Sequence, residues 1–197
     1  RNRRFVLIKI MQQRCYASLC RDAACSVKNM NQYRKSPRAK WLEYNEGLYF
    51  ITICTHRRVH YFGEIIDAEM HLSPIGKYLY EELGNVSIHH PHINILQFVI
   101  MPNHLHAIVD VNNAARCVPT IDDRVTNGLK SSQRPLLSTF IGSLKSAITK
   151  YAHECKLEFA WQSRYHDHYI RGVEDMNHIS QYIEGNVLHW EKDCFYQ

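Results

Sequence analysis

The stretch from Phe98 to Val111, FVIMPNHLHAIVDV, decides the fold of this chain. Two apolar segments of strand length flank Pro102-Asn103, and these two residue types favour a tight turn. The stretch therefore predicts a strand from Asn94 to Met101, a turn, and a second strand from His104 to Val111.

The second of these strands carries two histidines on one face of the predicted sheet. Side chains alternate between the faces of a strand, so His104 and His106 point one way. Leu105, Ala107 and Val109 point the other way and form an apolar face. Two imidazoles held on one face are half of a metal site, and the alternative is a pair of surface histidines on the open face of the sheet. The chain has 13 histidines, so chance alone gives about one His-x-His pair, and the position on a strand carries the prediction.

Apolar periodicity and turn residues predict the remaining elements. They are a strand over Leu48 to Thr55, a small hairpin over Tyr61 to Leu72, a helix from Ser73-Pro74 to about Ile88, a loop over 112–134, a helix opened by Pro135, a short strand around His168 to Arg171, and a last helix over about Glu174 to Leu188. This order predicts an α+β domain whose first six elements match the ferredoxin-like order. We expect an antiparallel sheet with helices on one face, followed by a C-terminal helix that carries Tyr182.

The last predicted helix places two polar side chains next to its apolar stripe. Tyr182 and Asn186 are four residues apart, so they share a helix face, and that face adjoins the stripe that contains Ile179 and Ile183. Gly185 lies between them and would let another backbone or a ligand approach closely. Taken alone, Tyr182 fits a packed helix tyrosine better than a functional one.

The positive charge of the chain is concentrated at its N-terminus. The formal net charge of the 197 residues is +5, but residues 1–40 hold 11 basic residues and one acid, Asp22. The rest of the chain is net negative and carries every histidine. The main body is therefore not a nucleic-acid binder by bulk charge. We expect residues 1–30 to be a basic N-terminal extension that is disordered or not native, and residues 31–197 to form one domain.

Composition also limits the cellular setting. No apolar run approaches the roughly 18 residues that span a bilayer, which argues against a membrane protein. The seven cysteines are an odd number and form no CxxC pair, which is typical of a reducing compartment. We therefore expect a cytoplasmic protein.

Three segments in combination resemble the single-tyrosine HUH transposase family, in particular its REP-associated branch. FVIMPNHLHAIVDV resembles the family's His-apolar-His motif, with Leu105 as the apolar residue. LSTFIGSLKSAITKYA, from Leu137 to Ala152, is similar to its middle helix, and FAWQSRYHDHYIRGVEDMNHISQYIEGN, from Phe159 to Asn186, is similar to its C-terminal part. The resemblance covers about residues 31–195. One departure is that the branch usually has Asn-Pro where this chain has Asn186-Val187, and valine would let the helix continue.

The resemblance implies a metal-dependent endonuclease and strand transferase that acts on single-stranded DNA in transposition. Tyr182 would be the nucleophile and would form a 5′-phosphotyrosine intermediate. His104, His106 and Asn186 would bind a divalent metal, Mg²⁺ or Mn²⁺. The cleaved DNA would be recognised by its sequence or by a hairpin, and the protein would be nucleoid-associated when bound to it. Family members act as monomers or as homodimers, so both remain open.

Several basic and aromatic residues are weaker candidates for DNA contacts. Phosphates attract Lys and Arg, and aromatic side chains can stack on bases. The candidates are Arg57, Arg58, Lys145, Lys150, Trp161 and Arg164. Without the resemblance, a solvated helix face explains the two lysines better than phosphate contacts do, and a packed connector between helix and strand explains Trp161 and Arg164 better than base stacking does.

Two alternatives to an active transposase remain open at this point. The first is a DNA-binding relic that keeps the fold but no longer cleaves. The second is an unrelated metal-dependent hydrolase that uses His104 and His106 to activate water, in which case activity would survive Tyr182→Phe.

Overall fold

The computed structural model describes residues 45–112 and 135–196. The predicted N-terminal extension and nearly all of the predicted loop over 112–134 lie outside these residues. Within the described part, four strands form the main sheet: β1 (Gly47–Cys54), β4 (Ile93–Met101), β5 (His104–Val111) and β6 (His166–Tyr169). Two short strands, β2 (Gly63–Ile66) and β3 (Glu69–Leu72), form a separate hairpin.

The main sheet has the strand order β4-β5-β1-β6, and every neighbouring pair is antiparallel. Helix α1 (Pro74–Gly84) lies between β1 and β4 in the chain, and helix α3 (Leu136–Glu154) lies between β5 and β6. This is the ferredoxin-like arrangement, so the predicted α+β fold class is confirmed. The register places Thr52 opposite His106 and Cys54 opposite His104 in the centre of the sheet.

The two faces of the sheet are covered by different helices. Leu105, Ala107 and Val109 pack with the apolar stripes of α1 and α3 in the larger core, as the strand alternation predicts. The opposite face carries Phe50 and Ile108, and there the C-terminal helix α4 (Gly172–Gly185) packs against the sheet. The histidine face is therefore covered by α4 and is not an open surface.

Local signals in the sequence explain how the helices begin. The Ser73 hydroxyl accepts a hydrogen bond of 3.0 Å from the Gly76 amide, and Pro74 occupies the first helical position of α1. The predicted apolar stripe of α3 is buried at Leu137, Phe140, Ile141, Leu144 and Ile148.

Two helices end earlier than the sequence predicts. Helix α1 ends at Gly84, and Ile88 lies in a separate single turn, α2 (Val86–His89). Helix α4 ends at Gly185 instead of about Leu188, and a 3-10 segment (Val187–Lys192) follows. The prediction that Val187 continues the helix is therefore wrong. The imidazole Nδ1 of His189 bonds the Gly185 carbonyl oxygen at 2.8 Å and satisfies one of the acceptors that a helix end leaves open.

Among the described residues, no helix combines the length and the apolar character that crossing a membrane requires.

Candidate active site

The site is centred on two histidines of β5 that the fold buries. His104 is 0% exposed and His106 is 1% exposed, and their ring centroids are 4.5 Å apart. Phe50 stacks on the His106 ring with a centroid distance of 5.1 Å. The two imidazoles do share one face of the sheet, but they are not surface histidines, because α4 and the C-terminal residues cover that face.

Hydrogen bonding fixes the proton of His104 on one ring nitrogen. The Nδ1 atom of His104 lies 2.8 Å from the Asn103 side-chain oxygen, which can only accept. The Asn103 side-chain nitrogen donates to the carbonyl oxygens of Arg58 and Phe195, so the amide is oriented from both ends. Nδ1 of His104 is therefore the donor. The lone pair of the neutral ring lies on Nε2, which has no hydrogen-bond partner among the described residues.

His106 lies between a hydroxyl on the neighbouring strand and the hydroxyl of Tyr182. Its Nδ1 shares a hydrogen bond of 2.8 Å with Thr52 Oγ1, and its Nε2 shares one of 3.1 Å with the hydroxyl of Tyr182. Thr52 and Tyr182 are themselves buried, at 2% and 4% exposed. The structure thus brings the predicted nucleophile from α4 into direct contact with one of the predicted metal-binding histidines.

Burial keeps both imidazoles neutral near pH 7. It lowers the pKa of His106 to about 3. The pKa of His104 lies well below its ordinary value, first because of burial and then because a charge on this ring would be repelled by the neighbouring basic groups His106, Arg58 and His60 when they are protonated. A neutral imidazole is the form that binds a metal, so the environment favours the metal-binding form.

A carboxylate from the C-terminal residues lies beside the two histidines. Oδ2 of Asp193 is 4.0 Å from Nε2 of His104. Asp193, His104 and His106 each offer one ligand atom, and these atoms lie within 4.8 Å of one another. This buried group of two imidazoles and one carboxylate could hold a divalent metal ion.

Asn186, the third ligand that the resemblance implies, is also buried. It is 1% exposed and lies directly after helix α4. Neither its side-chain oxygen nor its side-chain nitrogen has a hydrogen-bond partner among residues 45–112 and 135–196. A buried amide in this state is unusual, because unsatisfied polar groups are costly, and a bound ion or water would satisfy it.

The last described residues of the chain cover the site. Phe195 packs on His104 with ring centroids 4.4 Å apart, and its carbonyl oxygen accepts a hydrogen bond of 2.9 Å from Asn103. The ring centroid of Trp190 lies 6.0 Å from that of the same imidazole. Arg58 also contacts this segment. Its guanidinium donates a hydrogen bond of 2.6 Å to the Cys194 carbonyl oxygen, and the guanidinium carbon lies 4.8 Å from the Phe195 ring centroid.

The predicted DNA contacts fall into two groups. Arg57, Lys150 and Arg164 are exposed, and Lys150 pairs with Glu154 at 3.8 Å on the surface of α3. Arg58 is half-buried and engaged by the C-terminal residues.

Lys145 and Trp161 contact each other and the backbone around them. Nζ of Lys145 donates to the Gln162 carbonyl oxygen at 2.7 Å, and the Trp161 indole donates to the Lys145 carbonyl oxygen at 3.1 Å. The Lys145 ammonium also lies 5.5 Å from the Trp161 ring. Burial lowers the pKa of Lys145 to about 8. In this structure the contacts of these two side chains hold the segment that precedes β6 against α3.

Three residues of the site were not singled out from the sequence: Thr52, Asn103 and Asp193. Asn103 directly precedes His104 in the predicted turn, and this position is the signal that could have identified it as a site residue. Thr52 faces His106 only because of the strand register, which the sequence does not state. Asp193 reaches the site through the path of the chain after α4, and no periodic pattern marks it.

Comparisons with known proteins agree with this fold. No protein-family model matches the chain. An uncharacterized protein of Haemophilus influenzae is 33% identical over 168 residues, which cover 83% of this chain and 93% of that protein. The chain therefore belongs to the same family as the Haemophilus influenzae protein.

Two solved structures have related folds. A REP-associated tyrosine transposase bound to a REP hairpin matches with a TM-score of 0.50 and 22% identity, over 82% of this chain and 74% of that one. A Deinococcus radiodurans protein provisionally assigned as a transposase matches with a TM-score of 0.42 and 12% identity, over 79% of this chain and 97% of that one. The first of these matches supports a transposase-like fold for the described residues.

Proposed function

We propose that the protein is a metal-dependent endonuclease and strand transferase that acts on single-stranded DNA in transposition. The observation that carries this proposal is the contact of 3.1 Å between the Tyr182 hydroxyl and Nε2 of His106, in a buried group that also contains His104. A tyrosine, two neutral imidazoles and further oxygen ligands in one place are the parts that tyrosine-mediated phosphoryl transfer requires.

Tyr182 is the nucleophile in this proposal. Its oxygen attacks the phosphorus of a phosphodiester, the bond from phosphorus to the 3′ oxygen breaks, and the 5′ phosphate stays on the tyrosine. The tyrosine loses its proton and the 3′ oxygen takes one up, so a free 3′ hydroxyl is released without a net change in protons. Because the adduct keeps the energy of the phosphodiester bond, another 3′ hydroxyl can reverse the step and join two strands.

His104, His106 and Asn186 are the proposed metal ligands. The residues fit a divalent cation, since Nε2 of His104 is a buried lone pair without a hydrogen-bond partner among the described residues and the buried Asn186 amide is likewise unsatisfied there. A bound Mg²⁺ or Mn²⁺ would neutralise the non-bridging oxygens of the phosphate and make the phosphorus easier to attack. A cation at Nε2 of His106 would take up the lone pair of that nitrogen, and the Tyr182 hydroxyl that Nε2 contacts in the structure would then be released.

The DNA partner in this proposal is a single strand with a hairpin. The exposed Arg57, Lys150 and Arg164 are available to contact phosphates, while Arg58, Lys145 and Trp161 would first have to leave their contacts with the protein. Such a protein acts in the cytoplasm, on the nucleoid, as a monomer or homodimer.

A cleavage assay tests the proposed function. Labelled single-stranded DNA from the ends of the element that encodes the protein is incubated with Mn²⁺, Mg²⁺ or EDTA and separated on a denaturing gel. We expect a covalent protein–DNA adduct that requires metal and is absent from Tyr182→Phe. Tyr169→Phe, which changes a tyrosine at the sheet edge, is the matched control and keeps the adduct. Cleavage without an adduct that survives in Tyr182→Phe would refute the tyrosine mechanism and favour a water-using hydrolase.

The burial of the site supports a second candidate, a DNA-binding protein that no longer cleaves. Tyr182 is 4% exposed and His104 is 0% exposed, so a DNA strand reaches neither side chain unless residues that cover the site move. This candidate predicts hairpin binding that is unchanged in Tyr182→Phe, and no adduct with any metal.

A further inference from the structure

We infer that Asp193 is a direct ligand of the metal ion held by His104 and His106, so that the C-terminal residues of the chain complete the site. The inference rests on the metal use in the proposed function. It adds to the proposed function a carboxylate ligand that comes from outside the His-x-His strand and the Tyr182 helix.

The first argument is the orientation of His104. The Asn103 side-chain oxygen accepts from Nδ1, which leaves the lone pair of the neutral ring on Nε2. That nitrogen lies 4.0 Å from Oδ2 of Asp193. A carboxylate oxygen also offers only lone pairs when it is ionised, and the distance is too long for a hydrogen bond. Two acceptors that face each other in a buried site are satisfied together by a cation between them.

The second argument is the distance itself. Metal–ligand bonds to imidazole nitrogen and carboxylate oxygen are about 2.0–2.2 Å for common divalent ions. Two such bonds at octahedral cis or tetrahedral angles place their ligand atoms about 3.0–3.5 Å apart. The 4.0 Å between Nε2 of His104 and Oδ2 of Asp193 exceeds this by less than about 1 Å, a gap that a small side-chain shift closes when a cation binds. The ligand atom of His106 belongs to the same group, in which all three atoms lie within 4.8 Å of one another.

The third argument is that the carboxylate is held in place. Its other oxygen, Oδ1, accepts a hydrogen bond of 2.9 Å from the backbone amide of Phe195. The side chain of Asp193 is only 2% exposed, although nearby acids such as Glu191 are exposed. Buried carboxylates in proteins are paired or bind metals, and ligands that are hydrogen-bonded through their second atom are typical of metal sites.

The carboxylate also fits the kind of metal that the proposed function needs. Carboxylate oxygens suit Mg²⁺ and Mn²⁺, whereas imidazoles alone favour Zn²⁺ and similar ions. Two imidazoles and one carboxylate leave coordination positions for water and a phosphate oxygen. Asp193 therefore makes the site more selective for the hard ions.

Metal titration of the full chain tests this inference without any activity measurement. Free Mn²⁺ is followed by its electron paramagnetic resonance signal for the wild type, Asp193→Asn, His104→Ala and Asn186→Ala. Glu191→Gln is the matched control, because it removes one carboxylate charge from an exposed position two residues away. We expect Asp193→Asn to weaken Mn²⁺ binding at least about tenfold, since even residues that only support a ligand have effects of 10–100-fold. Glu191→Gln should bind as the wild type does.

The possible results separate the two proposals. If the wild type binds Mn²⁺, His104→Ala does not, and Asp193→Asn binds with wild-type affinity, the inference about Asp193 is overturned while the metal site stands. If His104→Ala binds as well as the wild type, the metal site of the proposed function fails, and the assignment of Asp193 fails with it.

A second variant covers the case in which Asp193→Asn does not fold, as judged by circular dichroism in EDTA. Asp193→Cys places a thiolate at the same position, and a sulfur ligand shifts preference from Mn²⁺ towards softer metals. With Co²⁺ it should give a sulfur-to-cobalt charge-transfer band that Glu191→Cys lacks. Absence of this band in a folded, Co²⁺-bound Asp193→Cys protein would count against the inference.

Discussion

Replacing Thr52 by valine should weaken both the fold and the metal site, because Thr52 holds the ring of His106. The two residues are opposite each other on β1 and β5, and their side chains share a hydrogen bond of 2.8 Å. Valine has nearly the same shape and suits a strand, so packing should be preserved while the hydroxyl is lost. His106 is 1% exposed, so water cannot easily replace the missing partner. A buried ring nitrogen without a partner costs about 1–3 kcal/mol of unfolding free energy.

The effect on metal binding follows from the same bond. When Nε2 of His106 binds a cation, Nδ1 carries the proton and donates it to Thr52 Oγ1. Loss of such a support weakens metal binding by about 10–100-fold, which is about 1.4–2.8 kcal/mol.

Urea unfolding in EDTA and Mn²⁺ titration measure the two effects of Thr52→Val separately. Thr52→Ser keeps a hydroxyl and should recover most of the metal affinity, whereas Thr149→Val removes an exposed hydroxyl from α3 and should change neither quantity by much. Wild-type Mn²⁺ affinity in a folded Thr52→Val protein would refute the assignment of His106 as an oriented ligand.

Three further predictions follow from burial, backbone and packing. First, in EDTA His106 should lower the unfolding free energy by about 1.4 kcal/mol per pH unit as the pH drops from about 6.5 towards 3. The reason is that the unfolded chain binds a proton in this range, whereas the folded ring stays neutral until its pKa of about 3. His106→Asn should reduce the measured slope of stability against pH by that amount. Second, Gly142→Ala in α3 should stabilise the fold by about 0.5–1 kcal/mol, since beyond the adjacent residues and the nearby backbone of the helix itself the added methyl would meet no described atom within 4 Å. Gly76→Ala should destabilise the fold, because the methyl would overlap the Phe62 carbonyl oxygen. Urea midpoints of the two variants that move in the same direction would contradict this. Third, Phe195→Ala should increase the rate at which diethyl pyrocarbonate modifies His104, because Phe195 packs on that ring. The rate is measured by peptide mass spectrometry, and Tyr196→Ala, which changes an exposed residue, is the control. Equal modification rates in Phe195→Ala and the wild type would mean that Phe195 does not shield the ring.

The fold could be predicted because its main signals are local. The alternation from His104 to Val111 correctly separates the side chains of β5 that pack against α1 and α3 from those on the histidine-bearing face. Ser73-Pro74 marks the start of α1, and the apolar stripe that begins at Leu137 marks α3. Helix ends were less predictable. At the end of α4 the His189 amide bonds the Asn186 carbonyl oxygen, and the His189 side chain contacts the Gly185 carbonyl oxygen that a continuing helix would bond through a backbone amide.

The candidate site could be predicted only in part, because much of it depends on long-range contacts. His104 and His106 lie on one strand, so local geometry places them together. Their contact with Tyr182 requires α4 to pack on the opposite face of the sheet from α1 and α3. Asp193 comes from a segment without apolar periodicity, and its position follows from contacts of the C-terminal residues with Arg58 and Asn103.

The Asn103 side chain, which orients His104, also binds the C-terminal residues that cover the site. Asn103 accepts from Nδ1 of His104 and donates to the Phe195 carbonyl oxygen, and both bonds are shorter than 3.0 Å. If the C-terminal residues move aside, Asn103 loses one of the two carbonyl partners that fix its amide, while Arg58 still offers the other. The orientation of His104 can therefore survive exposure of the site. Access for DNA and the orientation of His104 are thus separable. A variant that loosens Phe195 should expose the histidines and should weaken Mn²⁺ binding without abolishing it, because the Asp193 carboxylate, which accepts from the Phe195 amide, would move while His104 and His106 stay in place.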